Sequence, residues 1–275
     1  MSSNQPLLKA IVNIDAEESE AVLATVVKVE GSAYRRPGAR MLILANSQAV
    51  GCISGGCLEA EVCKKAAWLT RENNIVLRRY STGENTPFSE DIYHQIDEDS
   101  DLDGARSFGL GCNGAVSVLF ERVASVGIDH VMTLLKNVYS SHSAGGVAVV
   151  IAAPKNASVI IGDRLLLDPE KRIPFWCSKG IVERSLDQQN RHDLQQTMTN
   201  KKSIHKIYEI DLGKIEVFFE YVAPPHRLIV FGAGLDAQPL VRLAKQQGWH
   251  VTVVDSRAYF ARHDHFPLAD KVLCH

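Results

Sequence analysis

Three groups of residues in this 275-residue chain have types and spacings that could carry chemistry. The first is Gly232-Ala233-Gly234-Leu235-Asp236-Ala237, a G-x-G-x-x-A turn with Asp255 following 21 residues after Gly234. Glycines permit a tight turn and close backbone approach, a following helix N-terminus receives a pyrophosphate, and an acid ending the next strand binds a ribose hydroxyl. Gly232, Gly234 and Asp255 are therefore candidate contacts for a dinucleotide, although the same turn also persists as plain architecture. Arg257, two residues past the acid, would tolerate a 2′-phosphate if it faced the ribose and otherwise reads as an exposed arginine. The second group is Gly55-Gly56-Cys57. A thiol at a helix N-terminus has its thiolate stabilised by amide dipoles, and flanking glycines let a bulky ligand reach the sulfur. Cys57 is thus the cysteine to choose as reactive, against the ordinary case of a free cysteine as a small buried hydrophobe. The third is Arg35, Arg36 and Arg40 around Pro37-Gly38, three guanidinium groups able to clamp an anion through paired hydrogen bonds, or to serve as ordinary surface.

A further run, Gly109-Leu110-Gly111-Cys112-Asn113-Gly114, also spells G-x-G-x-x-G. The next residues, AVSVLFERV, read as a strand, so no helix begins there to receive a phosphate. Its interest is Cys112, held after Gly111 in a glycine-rich loop much as Cys57 is held by Gly55-Gly56.

Other chemistries lack their signs. The ten histidines show no HExxH or similar metal spacing, and neither GxSxG nor a Walker A sequence is present. The six cysteines form no CxxC pair and lack zinc-finger spacing, so any cysteine function rests on a reduced thiol. A net charge of −2 offers none of the phosphate neutralisation a nucleic-acid binder needs. The N-terminus has no basic region followed by an apolar run, and the longest apolar stretch, 147–153, is far too short to cross a bilayer; a cytoplasmic protein without a membrane partner is expected. With 45% hydrophobic and 23% charged residues the chain is globular.

The elements that must position these groups follow from periodicity. Residues 23–29 and 40–44 read as strands separated by the turn GSAYRRPGA, and 50–54 as a third, giving a β-meander. Gly55-Gly56 then opens a helix with Leu58, Val62, Ala66 and Leu69 on one face and Glu59 and Glu61 in its first turn, where the dipole favours acids. Strands are expected at 75–80 and 115–123, with eight carboxylates and no lysine or arginine over 84–103 between them, a solvated loop. A helix at 128–138, a strand at 147–153, a hairpin at Gly162-Asp163, an amphipathic helix within 181–202 and strands at 204–210 and 216–222 follow.

Pro224-Pro225 breaks the pattern and divides the chain into 1–223 and 224–275. Past it come a strand at 227–231, a helix at 236–247, a strand at 251–254 and another at 271–273, the opening of a parallel, Rossmann-type α/β sheet. Such a sheet needs more strands to flank its first, so a truncated Rossmann-type domain is expected here.

Taken in order, VKVEGSAYRRPGARMLI, GCISGGCLEAEV and GLGCNGAVSVLFE, then LIVFGAG, VTVVDSRAYFA and FPLADKV, resemble the XdhC/CoxI family, with 125–215 the least similar stretch. The resemblance implies an α/β protein in two parts: an N-terminal mixed α+β region that handles cofactor, and a C-terminal Rossmann-type domain. It implies an accessory protein, not a metabolic enzyme, that carries molybdenum cofactor (molybdopterin) as transient cargo. Such a protein promotes the cofactor's sulfuration and insertion into xanthine dehydrogenase-type molybdenum hydroxylases. Its partners would be a cysteine desulfurase and a molybdenum hydroxylase apo-subunit, with a homodimer left open. Carried onto this chain, the cofactor-binding positions are Gly55, Gly56, Cys57, Gly111 and Cys112 with Arg35, Arg36 and Arg40, and Cys57 is the soft ligand to the metal. One departure is Leu235-Asp236 after the GAG turn, where family members often carry histidine; an acid there would repel a pyrophosphate and disfavours bound NAD(P). The alternative is an NAD(P)-dependent oxidoreductase, for which no positioned general acid or base stands out.

Overall fold

A computed structural model describes residues 7, 10, 21–71, 75–81, 114–123, 128–171, 173–178 and 182–275. The predicted meander is present as β1 (Val22–Gly31), β2 (Arg40–Ile43) and β3 (Ala49–Gly51), followed by α1 (Glu59–Leu69), β4 (Val76–Ser81) and β5 (Gly114–Arg122). These five strands form one antiparallel sheet in the order β3-β2-β1-β5-β4. Helix α2 (Ile128–Ser141) leads into β6 (Gly145–Ala152), β7 (Arg164–Leu167), β8 (Phe175–Cys177), α3 (Arg184–Asn200), β9 (Ile204–Ile210) and β10 (Gly213–Val222). Their sheet has the order β8-β7-β6-β10-β9. A third sheet is parallel, β11 (Arg227–Phe231), β12 (His250–Asp255) and β13 (Lys271–Cys274), with α4 (Ala237–Gln246) packed on it through Val241 and Ala244.

The first two sheets repeat one topology, which periodicity alone did not reveal. Val26 and Val150, Gly38 and Gly162, and Arg40 and Arg164 are equivalent pairs, each 124 residues apart. The Gly38 amide donates to the Val26 carbonyl at 2.8 Å, and the Gly162 amide to the Val150 carbonyl at 2.9 Å. Both glycines have positive φ, 92° and 93°, a conformation in which a Cβ is strained.

The equivalence extends to packing. Leu23, Val27, Leu42 and Leu119 on one sheet and Val147, Ile151, Leu166 and Phe218 on the other share a single buried cluster with Val131, Leu134 and Leu135 of α2. On its outer face the first sheet packs Val26, Met41 and Phe120 against Val62 and Ala66 of α1. The second packs Val150, Leu165 and Phe219 against Leu186 and Leu194 of α3. Alternation along each strand sends one set of side chains inward and the other toward its helix, so helix, sheet, sheet and helix stack in layers.

Among the described residues three ion pairs cross between the sheets, Lys28 with Glu216 at 2.8 Å and two arginine–glutamate pairs. Arg40 grips Glu220 with both terminal nitrogens, Nη1 to Oε1 at 2.8 Å, and Arg164 donates to Glu121. Each arginine also donates to the carbonyl two residues before it, Arg40 to Gly38 at 3.1 Å and Arg164 to Gly162 at 2.9 Å. The arginine of each unit thus pairs with the glutamate of the other, the reciprocity that a twofold relation imposes. Arg40, expected in an anion clamp, is corrected by this geometry: its side chain is 4% exposed and committed to Glu220, itself 8% exposed. A strand-initial arginine cannot be told from a surface one until the partner strand, 180 residues on, is in place.

Among the described residues no helix is long and apolar enough to cross a membrane.

Candidate functional site

The segment between β3 and α1 is organised by one carboxylate. Strand β3 ends at Gly51, whose φ of 103° and approach to the Arg40 carbonyl, 2.3 Å from where a Cβ would lie, admit only glycine. Beyond it the chain wraps around the side chain of Glu59. Oε1 accepts from the amides of Ile53 at 3.2 Å, Ser54 at 2.9 Å and Gly55 at 3.3 Å, and from the Cys52 thiol at 3.1 Å. Oε2 accepts from the Gly56 amide at 2.9 Å and from the Ser54 hydroxyl. The same hydroxyl accepts the Leu58 amide at 3.1 Å and so ties the loop to the start of α1. Successive amides converging on one point make an anion nest. Partial burial opposes ionisation of Glu59, but the hydrogen bonds from Ser54, Cys52 and the loop amides outweigh it and hold the carboxyl down to about 2.

The amides of Gly55 and Gly56 therefore serve Glu59, a task beyond the one the sequence suggested for these glycines, which was to let a bulky ligand reach the sulfur. Cys57 itself is exposed, in the turn two residues before the first residue of α1. The neighbouring cysteines differ. Cys52 gives its S–H to Glu59, while burial, and then the Glu59 charge, push the Cys63 thiol up. Burial likewise raises Cys177, and Cys274 is exposed on β13.

The basic turn reaches this loop through Tyr34. A Cβ on Gly55 would lie 2.8 Å from the Tyr34 ring, so this glycine, with φ of 148°, makes room for the aromatic as well as for the backbone. The Arg35 guanidinium stands 5.5 Å from the centre of the same ring, within cation–π range, and its Nε is buried with no hydrogen-bond partner. Arg36 is exposed. The predicted three-arginine clamp thus reduces to Arg35 and Arg36. Gly111 and Cys112 lie outside the described residues, but Gly114 pairs with Gly31 across β1 and β5 and meets the Ser32 carbonyl, 2.2 Å from where its Cβ would be. Strand β5 consequently begins close to the residues that precede Tyr34.

The second unit has a different surface at the equivalent place. An open cavity of about 330 Å³ is lined by Trp176, Ser178, Val182, Arg184, Asp187 and Arg191. The first unit has Cys52, Ser54, Leu58, Ala60, Cys63 and Ala67 at the same offsets. Asp187 there accepts from the Trp176 indole and the Arg191 guanidinium, each at 2.7 Å.

In the parallel sheet, Gly232 takes φ of 109° in the turn from β11 toward α4, as a Rossmann glycine does. Asp255 ends β12 but is not free for a ribose. It accepts from the Ala233 amide at 2.8 Å and from the Arg257 amide, Nε and Nη2, bonds that hold its carboxyl well below the ordinary range. A carboxylate oxygen of Asp236 lies 2.5 Å from where a Cβ on Gly234 would be. Negative charge therefore sits where a pyrophosphate would approach, and the group expected to take the ribose is engaged by Arg257. These residues do not fit a dinucleotide.

Residues 15–81 match the sequence model of the XdhC and CoxI family, and residues 228–274 that of the XdhC Rossmann domain. These two matches liken the chain to the XdhC/CoxI family at both of its ends. A relative from Bacillus subtilis (strain 168), described as a probable xanthine dehydrogenase subunit, is 29% identical over 257 residues, 94% of this chain and 66% of the relative. The chain thus spans just under two thirds of that relative's length. A crystal structure of a xanthine dehydrogenase from Bacillus halodurans superposes with a TM-score of 0.66 over 99% of this chain and 68% of the other, at 24% identity, and shows the shared fold.

Proposed function

We propose that this protein is an accessory factor that holds molybdenum cofactor as cargo for a xanthine dehydrogenase-type molybdenum hydroxylase and assists its sulfuration and insertion. The observation that carries this reading is an exposed thiol, Cys57, on a loop braced against the aromatic and basic turn Tyr34-Arg35-Arg36. The cargo is an anion with a terminal phosphate and a metal held by sulfur, so its carrier needs a cationic donor and a soft thiolate. Arg35 and Arg36 supply the first and Cys57 the second. Among the described residues no three His, Cys, Asp or Glu side chains are grouped to hold a metal ion. Cys57 is a single donor, so a metal that it touches would bring its other ligands along, as a carried cofactor does. The names of the relatives support a xanthine dehydrogenase context. The partners this role requires are a cysteine desulfurase and a molybdenum hydroxylase apo-subunit.

The test is anaerobic uptake of molybdenum cofactor by the purified protein, read as bound pterin and molybdenum. Wild type and Cys63→Ser should retain cofactor, and Cys57→Ser should fold and lose most of it, since a hydroxyl cannot act as a soft anionic ligand. No uptake by the wild type, or equal retention in both variants, would overturn the assignment.

A further inference from the structure

The nest around Glu59 sorts the residues of this loop by task. Six donors converge on one carboxylate: the amides of Ile53, Ser54, Gly55 and Gly56, the Ser54 hydroxyl and the Cys52 thiol. Far more hydrogen bonding is spent here than the first turn of a surface helix requires, where an acid normally contributes only by its charge near the dipole. The internal repeat gives an independent view. At the 124-residue offset the second unit carries Ser178, Gly180 and Glu183 where the first has Ser54, Gly56 and Glu59, and it carries Ile181 where the first has Cys57. The serine, glycine and glutamate recur in both units; the thiol belongs to one. In the first unit the glutamate gathers the loop and the thiol stands outside that bonding, two assignments within a six-residue stretch.

We propose that Glu59 is a positioning residue: its carboxylate closes residues 52–56 into a fixed loop, braced on Tyr34 through Gly55, that presents the Cys57 thiol to solvent, and keeps the loop amides turned toward the carboxylate. This deepens the cargo-carrier reading and rests on it for the purpose of the thiol. A glutamine at this position keeps the shape, but its amide nitrogen would face donors and it lacks the charge that gathers them. An aspartate keeps the charge but is one methylene short.

The experiment measures alkylation of Cys57 by iodoacetamide at pH 7 by mass spectrometry, with exposed Cys274 in the same molecule as the reference, alongside cofactor retention. In Glu59→Gln the loop amides are released toward the thiol and a neighbouring negative charge is gone, so the Cys57 to Cys274 rate ratio should rise by about threefold, the size of one screened charge interaction. Cofactor retention should fall. Glu59→Asp should restore both in part, which a shape-only role would not allow. Hydrogen exchange on the wild type provides a measurement that does not depend on any variant folding: the amides of Ser54, Gly55 and Gly56 should be protected although both glycines are exposed. Unprotected amides, or a folded Glu59→Gln protein with an unchanged ratio, would overturn the positioning role whatever happens to the cofactor. A changed ratio in a protein that never takes up cofactor would leave Glu59 in place and sink the carrier reading instead.

Discussion

Replacing Glu220 by alanine should unfold this protein more readily than almost any other exchange of a charged residue. The Arg40 guanidinium is 4% exposed, and with Glu220 gone it keeps one hydrogen bond, to the Gly38 carbonyl at 3.1 Å. Burial opposes the arginine's charge, which Glu220 and, at longer range, Glu121 sustain in the native protein, pushing its pKa up. Removing one partner from a buried pair costs about 3–5 kcal/mol, because the remaining charge is left without compensation. At about 2–4 °C per kcal/mol for units of this size, the melting temperature should drop by roughly 10 °C. Glu121→Ala should cost about as much, since Arg164 and Glu121 are 3% and 4% exposed and occupy the equivalent positions. The double variant Arg40→Met, Glu220→Leu should recover most of the loss, as apolar replacement of both partners is often neutral. Urea unfolding of Arg40→Met, Glu220→Leu and their double closes a mutant cycle, with the coupling read directly. Single variants that lose less than about 1 kcal/mol, or a double variant as unstable as the sum of its parts, would show that the two sheets do not meet through these pairs.

Two further outcomes are expected. The Glu59 carboxyl lies below its unfolded value, so the stability it contributes is complete above about pH 5 and is lost as the pH falls toward 2. The side chain is partly solvated, which limits that contribution to about 1–2 kcal/mol after screening. The gap in urea midpoint between wild type and Glu59→Gln should therefore narrow between about pH 7 and about pH 3, and an unchanged gap would refute a role for the charge. Calorimetry with NAD and with NADP should show no binding, because Asp236 crowds Gly234 and Arg257 engages Asp255; micromolar affinity for either would revive the oxidoreductase alternative.

Much of the scaffold was legible in the residues. Apolar runs and alternation located β1, β5, β10 and β11 to within a few positions, and the turn GSAYRRPGA and the Gly55-Gly56 break marked where the chain changes direction. Legibility failed where a residue's role depends on a distant partner. Arg40 belongs to a basic cluster along the chain, and only the cross-sheet approach of Glu220 shows it to be interior. Glu59 read as a helix-dipole acid because first-turn acids are common; the Ser54 and paired glycines before it were the signal for a carboxylate folding back, a close relative of the reciprocal capping of helix starts. The repeated topology was hidden because strands tolerate exchange among apolar residues, leaving only the G-x-R and S-x-G-x-x-E spacings in common. Asp255 occupied its expected place at the end of β12, but the competitor for its oxygens, Arg257, was two residues away and was read as bystander or phosphate contact.

The crossed arginine–glutamate pairs have one more consequence. An interface in which each half offers the same groups to the other is what two identical chains would build on meeting; here both halves lie on one polypeptide, so the meeting is intramolecular and requires no concentration. Two identical chains would carry matched loops on both sides. On one polypeptide the halves need not match, and here they differ, with a cysteine at position 57 and an isoleucine at position 181. The stoichiometry follows: one chain presents one such thiol, and a pair of them would need a pair of chains.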